Sequence, residues 1–164
     1  MSTRLIIMDL DDTIINSHPL KGYRDNRNWK ACVRNLSEIS LYNEIPHFIE
    51  EIRSTAKLAI VTNSVSFYAE AALRHFDIPY DLLVAFHDCP SGMHKPHPFS
   101  ITKCLQTFSV PTNECLGIGD SSIDATAYAN ANIAAIGAGW SDVFDPTGAW
   151  ASIAARPSDI LPLT

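Results

Sequence analysis

The sequence predicts an α/β fold, a single doubly wound parallel sheet of about five strands with helices on both faces. Three observations carry this prediction. Short apolar runs of strand length alternate with longer stretches of helical period. Polar residues with chemical potential follow most of the apolar runs directly. A chain of 164 residues, 46% apolar and 18% charged, holds enough material for one buried core and shows no sign of general disorder.

The first element is Leu5-Ile6-Ile7-Met8, continuous rather than alternating, as expected of a strand buried on both faces. The alternation is then interrupted from Asn16 to Ile45. This stretch begins turn-rich at Asn16, Ser17, Pro19 and Gly22, then sets Trp29, Cys32, Val33, Leu36 and Ile39 along one side of an amphipathic helix. Residues 16–45 are therefore expected to be a small insert in one domain spanning residues 1–164. Ile45, Phe48, Ile49, Ile52 and Ala56 next recur at i, i+3, i+4, i+7 and i+11, with Pro46 in a first helical turn. A second strand is expected at Lys57–Thr62, then a helix marked by Val65, Tyr68, Ala69, Ala72 and Phe76. The third strand falls at Asp81–Phe86. A helix with Ile101, Cys104, Leu105 and Phe108 follows Pro98, and a fourth strand falls at Glu114–Ile118. An alanine-rich helix over about Ser122–Ala131 leads to a fifth strand at Ile133–Ile136. Such alternation is that of a Rossmann-like sheet, in which ligands bind beyond the carboxyl ends of the strands.

Composition excludes several classes of function. Twelve basic residues against eighteen acidic ones give a net charge of −6, a poor basis for gripping nucleic acid or an anionic membrane. No apolar run approaches the ~18 residues of a membrane span, and Leu5–Met8 is too short for a signal peptide. Cys32, Cys89, Cys104 and Cys115 form no C-x-x-C pair and read as reduced thiols that fill core. A cytoplasmic protein is expected, with neither nucleic acid nor membrane as partner. Its oligomeric state is not legible.

The strand ends carry the chemistry. After the first strand stand Asp9 and Asp11, whose i, i+2 spacing in extended chain lets both face one cavity. The second strand ends in Thr62-Asn63-Ser64, groups suited to hydrogen-bonding phosphate oxygens. Lys95 lies in His94-Lys95-Pro96-His97-Pro98, where prolines fix the chain path. The fourth strand ends in Gly117-Ile118-Gly119-Asp120-Ser121-Ser122-Ile123-Asp124, where the acids also suit a helix N-terminus. Asp9, Asp11, Asp120 and Asp124 bring four negative charges to one rim. Lys95 offsets one and a divalent cation two, and all-oxygen ligation suits Mg²⁺. His87, Asp88, Cys89, His94 and His97 match no zinc spacing and read as surface loop, with His97 near Lys95. Trp140 and Trp150 are expected to cover the C-terminal edge of the core.

Four motifs also carry a resemblance. Ile7-Met8-Asp9-Leu10-Asp11-Asp12-Thr13, Ala59-Ile60-Val61-Thr62-Asn63-Ser64, Lys95-Pro96-His97-Pro98 and Cys115 to Asp124 resemble, in order and spacing, the motifs of the haloacid dehalogenase-like hydrolase superfamily, in its phosphoglycolate phosphatase-like branch. The resemblance implies a Mg²⁺-dependent phosphomonoester hydrolase. Asp9 would be the nucleophile that carries an aspartyl-phosphate, and Asp11 the general acid and base. Thr62, Asn63 and Lys95 would bind the phosphoryl group. Asp9, Asp120 and the Asp11 carbonyl would ligate the metal, with Asp124 completing its outer shell or orienting Lys95. Asp12 stands where glycine is frequent in that family, a tolerable departure, and Asn132 stands where glycine is usual before the fifth strand, asparagine being a residue that tolerates a left-handed backbone. A phosphotransferase would share every one of these residues. A metal-independent haloacid dehalogenase would not need Asp11 or the Gly119–Asp124 run, and a non-catalytic phosphate-binding module would be expected to lack Asp9 or Asp11.

Members of that branch commonly carry a larger helical cap between the first two motifs. Here only 53 positions separate Asp9 from Thr62, so the cap is expected to be minimal and the site open. Lys21, Arg24, Arg27, Lys30 and Arg34 fall within fourteen positions of this otherwise acidic chain, among Tyr23 and Trp29. Arg27, Lys30 and Arg34 are expected to share a helical face. This face is either solvated and balances nearby acids, or it makes Arg24, Arg27 and Lys30 candidate contacts for a small phosphorylated substrate with further anionic groups, with Tyr23 or Trp29 available to stack on a ring.

Overall fold

The computed structural model describes residues 2–163. Strand β1 (Leu5–Met8) leads into an excursion holding β2 (Ile15–Asn16), α1 (Lys21–Asp25), α2 (Trp29–Arg34) and β3 (Ser40–Leu41). The chain continues through α3 (Ile45–Arg53), β4 (Lys57–Val61), α4 (Ser66–His75), β5 (Leu82–Val84), α5 (Phe99–Phe108), β6 (Cys115–Gly119), α6 (Ser122–Asn130), β7 (Ala134–Ala138) and β8 (Ser152–Ala154).

Six strands form one parallel sheet in the order β5-β4-β1-β6-β7-β8. Side chains alternate across it, and both faces are buried. Ile6, Met8, Leu58, Ile60 and Ile118 pack beneath α3 and α4. Leu5, Ile7, Ala59 and Val61 pack beneath α5 and α6. The strand order reverses between β1 and β6, which makes their carboxyl ends the topological switch point where ligands of open α/β sheets bind. Register fixes what meets there. Met8 pairs with both Ile60 and Ile118, so Asp9 emerges level with Val61 and Gly119, beside Thr62 and Asp120.

The structure changes two expectations. The sheet has a sixth strand, β8, which the five apolar runs did not mark. It is three residues long at the sheet edge, and Ser152 and Ile153 are exposed, so no apolar run announces it. The insert holds two short helices, α1 and α2, rather than one. Between them Arg27 adopts a left-handed conformation (φ 54°), which ends the helical path and removes Arg27 from the face of Lys30 and Arg34. The antiparallel β2–β3 pair closes the base of the insert, while Leu20, Cys32, Leu36 and Ile39 anchor it in the core. Asn132 (φ 57°) takes the left-handed conformation as expected, and the structure adds Asp12 (φ 62°).

Candidate active site

Lys95 is the centre of the site. Its Nζ donates to Asp9 Oδ1 at 2.6 Å, to Asp124 Oδ1 at 2.6 Å and to the Val61 carbonyl at 2.9 Å, which uses all three ammonium protons. Asn63 explains why this loop lysine is so well placed. Its side-chain amide donates to the Lys95 carbonyl (2.9 Å) and accepts from the Lys95 N–H (3.1 Å), clamping the loop to the end of β4. Asp124 does two things at once. Oδ2 accepts from Ser121 N–H and Oγ in a capping box that starts α6, while Oδ1 holds Lys95. Thr13, buried on the loop after β1, donates to Asp120 Oδ1 at 3.0 Å and lies 3.4 Å from Asp9 Oδ2. The loop is braced in turn by Trp140, whose indole N–H donates to the Thr13 carbonyl at 3.0 Å.

Asp11 faces a different set of groups. Ser64 Oγ donates to it at 2.6 Å and Tyr68 OH at 2.8 Å, and Arg24 of α1 lies 3.5 Å away. Arg24 also pairs with Asp12 at 2.9 Å. The insert is thus tied by an ion pair to the turn that carries the candidate catalytic residues. Thr62 is buried at the end of β4, where its Oγ1 accepts from the Ser64 N–H at 3.0 Å. Asp9, Asp11, Arg24, Thr62, Lys95 and Asp120 all line one cleft of about 310 Å³.

Other expected residues lie elsewhere. Arg27 lines a second cavity next door, and Lys30 is exposed on α2 and lines neither. Tyr23 is exposed and lines neither cavity, whereas Trp29 lines both. His97 is exposed, with Nδ1 accepting from the Phe99 N–H. The sequence assigns no role to Tyr68 or Thr13, and it reads Ser64 with Thr62 and Asn63 as a group for phosphate oxygens, whereas Ser64 Oγ is spent on Asp11. Tyr68 fits a core stripe by spacing, and nothing in that spacing reveals that its hydroxyl reaches Asp11.

Electrostatics bears on what the site can hold. Asp9, Asp120 and Asp124 each bring a carboxylate oxygen within 4.8 Å of the others. Burial, with the charges of Asp124 and Asp120, holds Asp9 well above the usual carboxylate range, although Lys95 opposes this. Burial and the Asp124 charge push Asp120 up to about 7. Burial alone would lower Lys95, but Asp124 and Asp9 more than reverse it. Three crowded carboxylates and one lysine leave an excess of negative charge. A cluster of hard oxygen donors in that state fits a divalent cation such as Mg²⁺. The Asp11 carboxylate is not part of this cluster among the described residues.

Comparison with known proteins follows the same line. The sequence profile of the haloacid dehalogenase-like hydrolases matches residues 23–138. A candidate pyrophosphatase, PpaX, of Caldanaerobacter subterraneus subsp. tengcongensis is 28% identical over 107 residues, covering 61% of this chain and 48% of that protein. The match thus spans about half the length of this curated relative. The crystal structure of a candidate phosphoglycolate phosphatase from Lactobacillus plantarum superposes with a TM-score of 0.87 at 22% identity, covering all of both chains. CbbY from Rhodobacter sphaeroides, solved in complex with phosphate, gives 0.78 at 16% identity over 96% of each chain. At these identities the structural likeness is one of fold.

Proposed function

The chain belongs to the haloacid dehalogenase-like hydrolases, and from that premise we propose that it is a Mg²⁺-dependent phosphomonoester hydrolase working through an aspartyl-phosphate on Asp9. The observation that carries this reading is the cluster at the switch point, where Asp9 contacts Lys95 and stands within ligand distance of Asp120 and Asp124. The relatives' phosphate chemistry supports it. Asp9, Asp120 and the Asp11 carbonyl would hold the cation, with Asp124 behind them. When bound it supplies the positive charge that lets ionised carboxylates sit beside a phosphate.

The protein groups divide the remaining work. An Asp9 oxygen attacks phosphorus as the bond from phosphorus to the ester oxygen breaks, and the departing oxygen takes a proton from Asp11. Water then attacks the phosphoryl group and gives a proton to Asp11, while the Asp9–phosphorus bond breaks and phosphate leaves. Lys95 fixes the Asp9 carboxylate and balances its charge. Thr62 and Asn63 border the phosphoryl position at the end of β4, and Asn63 also holds the Lys95 loop. Ser64, Tyr68 and Arg24 position Asp11. Residues 16–45 act as a small cap in one domain of residues 1–164. The substrate is a small phosphorylated molecule handled in the cytoplasm, a location supported by four free cysteines and, among the described residues, by no helix long and apolar enough to cross a membrane.

Purified protein is expected to hydrolyse 4-nitrophenyl phosphate with Mg²⁺ and to lose this activity in EDTA. Asp9→Asn is expected to lower turnover by about a thousandfold or more, since an amide neither attacks phosphorus nor balances a cation. Full activity in EDTA, or in Asp9→Asn, would remove the reading.

A further inference from the structure

A second cavity of about 490 Å³ opens beside the catalytic cleft and shares Arg24, Asp25, Trp29 and Asn63 with it. Its volume falls in the roughly 300–1,000 Å³ range of small-molecule sites. Its walls differ in kind from those of the cleft. Trp29 comes from α2 in the insert, Phe67 from the first turn of α4 and Phe86 from the segment after β5. Phe67 is 50% exposed and Phe86 37% exposed, so two large rings stand in solvent around one hollow.

Two of the three rings are braced from outside the cavity. Phe86 stacks on His94 with centroids 3.9 Å apart and planes 10° apart, and His94 Nε2 lies 2.9 Å from the Phe86 carbonyl. Trp29 packs on Tyr68 at 5.6 Å, and Tyr68 is itself held by Asp11. Fixed aromatic walls lose little entropy on gaining a planar partner, and exposed rings gathered round a concavity mark a recognition site. The charges point the same way. Arg24 is engaged with Asp11 and Asp12, Asp25 adds a carboxylate to the lining although it pairs with Lys21, and Lys30 is absent from it. The cavity is therefore better suited to an uncharged ring than to a second strongly anionic group.

We propose that this cavity is the leaving-group subsite, and that the substrate is a phosphomonoester whose alcohol carries an aromatic ring seated among Trp29, Phe67 and Phe86. This assignment rests on the phosphatase reading. The phosphate would occupy the cleft at Asp9 and Lys95, and the ring would pass Asn63 into the second cavity. Arg27 at its rim would lie alongside polar substituents of the ring.

Three esters of primary alcohols with similar leaving-group chemistry test the assignment: 2-phenylethyl, 2-cyclohexylethyl and n-butyl phosphate, each with Mg²⁺. The expected result is a kcat/KM for the phenyl ester about tenfold above that of the butyl ester, arising through KM, with the cyclohexyl ester nearer to butyl. Phe67→Ala and Phe86→Ala should each shrink the phenyl-to-butyl ratio severalfold. Should Phe86→Ala fold poorly, the half-exposed Phe67 still supplies the test. Binding of benzylphosphonate against methylphosphonate by calorimetry should show the same preference without turnover. Mg²⁺-dependent hydrolysis of all three esters at equal kcat/KM overturns the subsite and leaves the phosphatase reading standing. Equal rates for the phenyl and cyclohexyl esters overturn the aromatic class. Hydrolysis of none of them, nor of 4-nitrophenyl phosphate, overturns both readings together.

Discussion

Gly119 shows how little freedom the site leaves to single residues. A Cβ placed there would lie 2.5 Å from the Asp124 Cβ and 2.8 Å from its Oδ2, closer than real contacts permit. The absent side chain is what lets α6 start so near β6 that Asp124 reaches Lys95. Gly119→Ala should therefore move Asp124, cost about 1–3 kcal/mol of stability and lower activity, measurable by thermal unfolding and 4-nitrophenyl phosphate turnover. Unchanged values for both would mean the close approach is not needed. Asp120 supplies a pH test. Its carboxyl, pushed up to about 7 when folded, has an unfolded value of roughly 3.9. Such a group stabilises the metal-free protein fully below the unfolded value, and the contribution fades as pH rises through 7. The metal-free protein should lose stability between about pH 4 and pH 7, and Asp120→Asn should flatten that slope. Mg²⁺ should then raise the melting temperature more at about pH 8 than at pH 5, because it binds the ionised carboxylates. Equal shifts at both values would argue against that cluster as the cation site.

At the scale of elements, Asp81 ties two strands together where no catalytic group is involved. It precedes β5, accepts from the Leu58 N–H of β4 at 2.9 Å and pairs with Arg53 (2.9 Å) and Lys57 (3.1 Å). Burial raises its carboxyl somewhat, but the Leu58 N–H and the Lys57 and Arg53 charges prevail and lower it. A lowered value contributes stability that is present above the unfolded value, roughly 3.9, and is lost as pH falls through the folded one. Asp81→Asn should thus cost about 1 kcal/mol near neutral pH and progressively less as pH falls below the unfolded value of roughly 3.9, seen in urea midpoints across pH. A constant difference across that range would rule the ion pairs out as its source. The insert taught a different lesson at this scale. Its apolar residues have helical spacing and do reach the core, yet Arg27 turns left-handed and splits the path into α1 and α2. Spacing recorded the buried side correctly and could not show the break, because Asn26, Arg27 and Asn28 are all exposed and carry no apolar signal.

For the whole molecule, the switch point gathers groups from β1, β4, β6 and the Lys95 loop into one buried cluster. A ligand that mimics the phosphorylated Asp9 should therefore stabilise the native state as a unit. Beryllium fluoride with Mg²⁺ at about a hundred times its dissociation constant would add roughly 2.7 kcal/mol. That corresponds to a rise of about 5–10 °C in melting temperature for a chain of this size. Asp9→Asn should show no such rise, and an equal rise in that variant would count against covalent chemistry at Asp9.

Order along the chain already contained five of the six strands of the sheet and most of the candidate site. Apolar runs bounded by Asp9, Thr62 and Asp120 determined which residues would stand at strand ends, because a parallel sheet sends all its carboxyl ends to one edge. Distances between elements were not determined that way. Ser64 and Tyr68 at Asp11, Thr13 at Asp120, and Asn63 clamping Lys95 depend on side-chain reach across positions up to 107 residues apart, for which no local pattern exists. The basic residues of the insert show the same division. Their number was plain from the sequence. Only the tertiary structure decided that Arg24 would turn inward to Asp11 and Asp12, that Lys30 would stay in solvent and that an aromatic cavity would open beside Arg24. Local periodicity fixes which side of an element is buried, whereas the partner of each polar group is chosen by packing between elements.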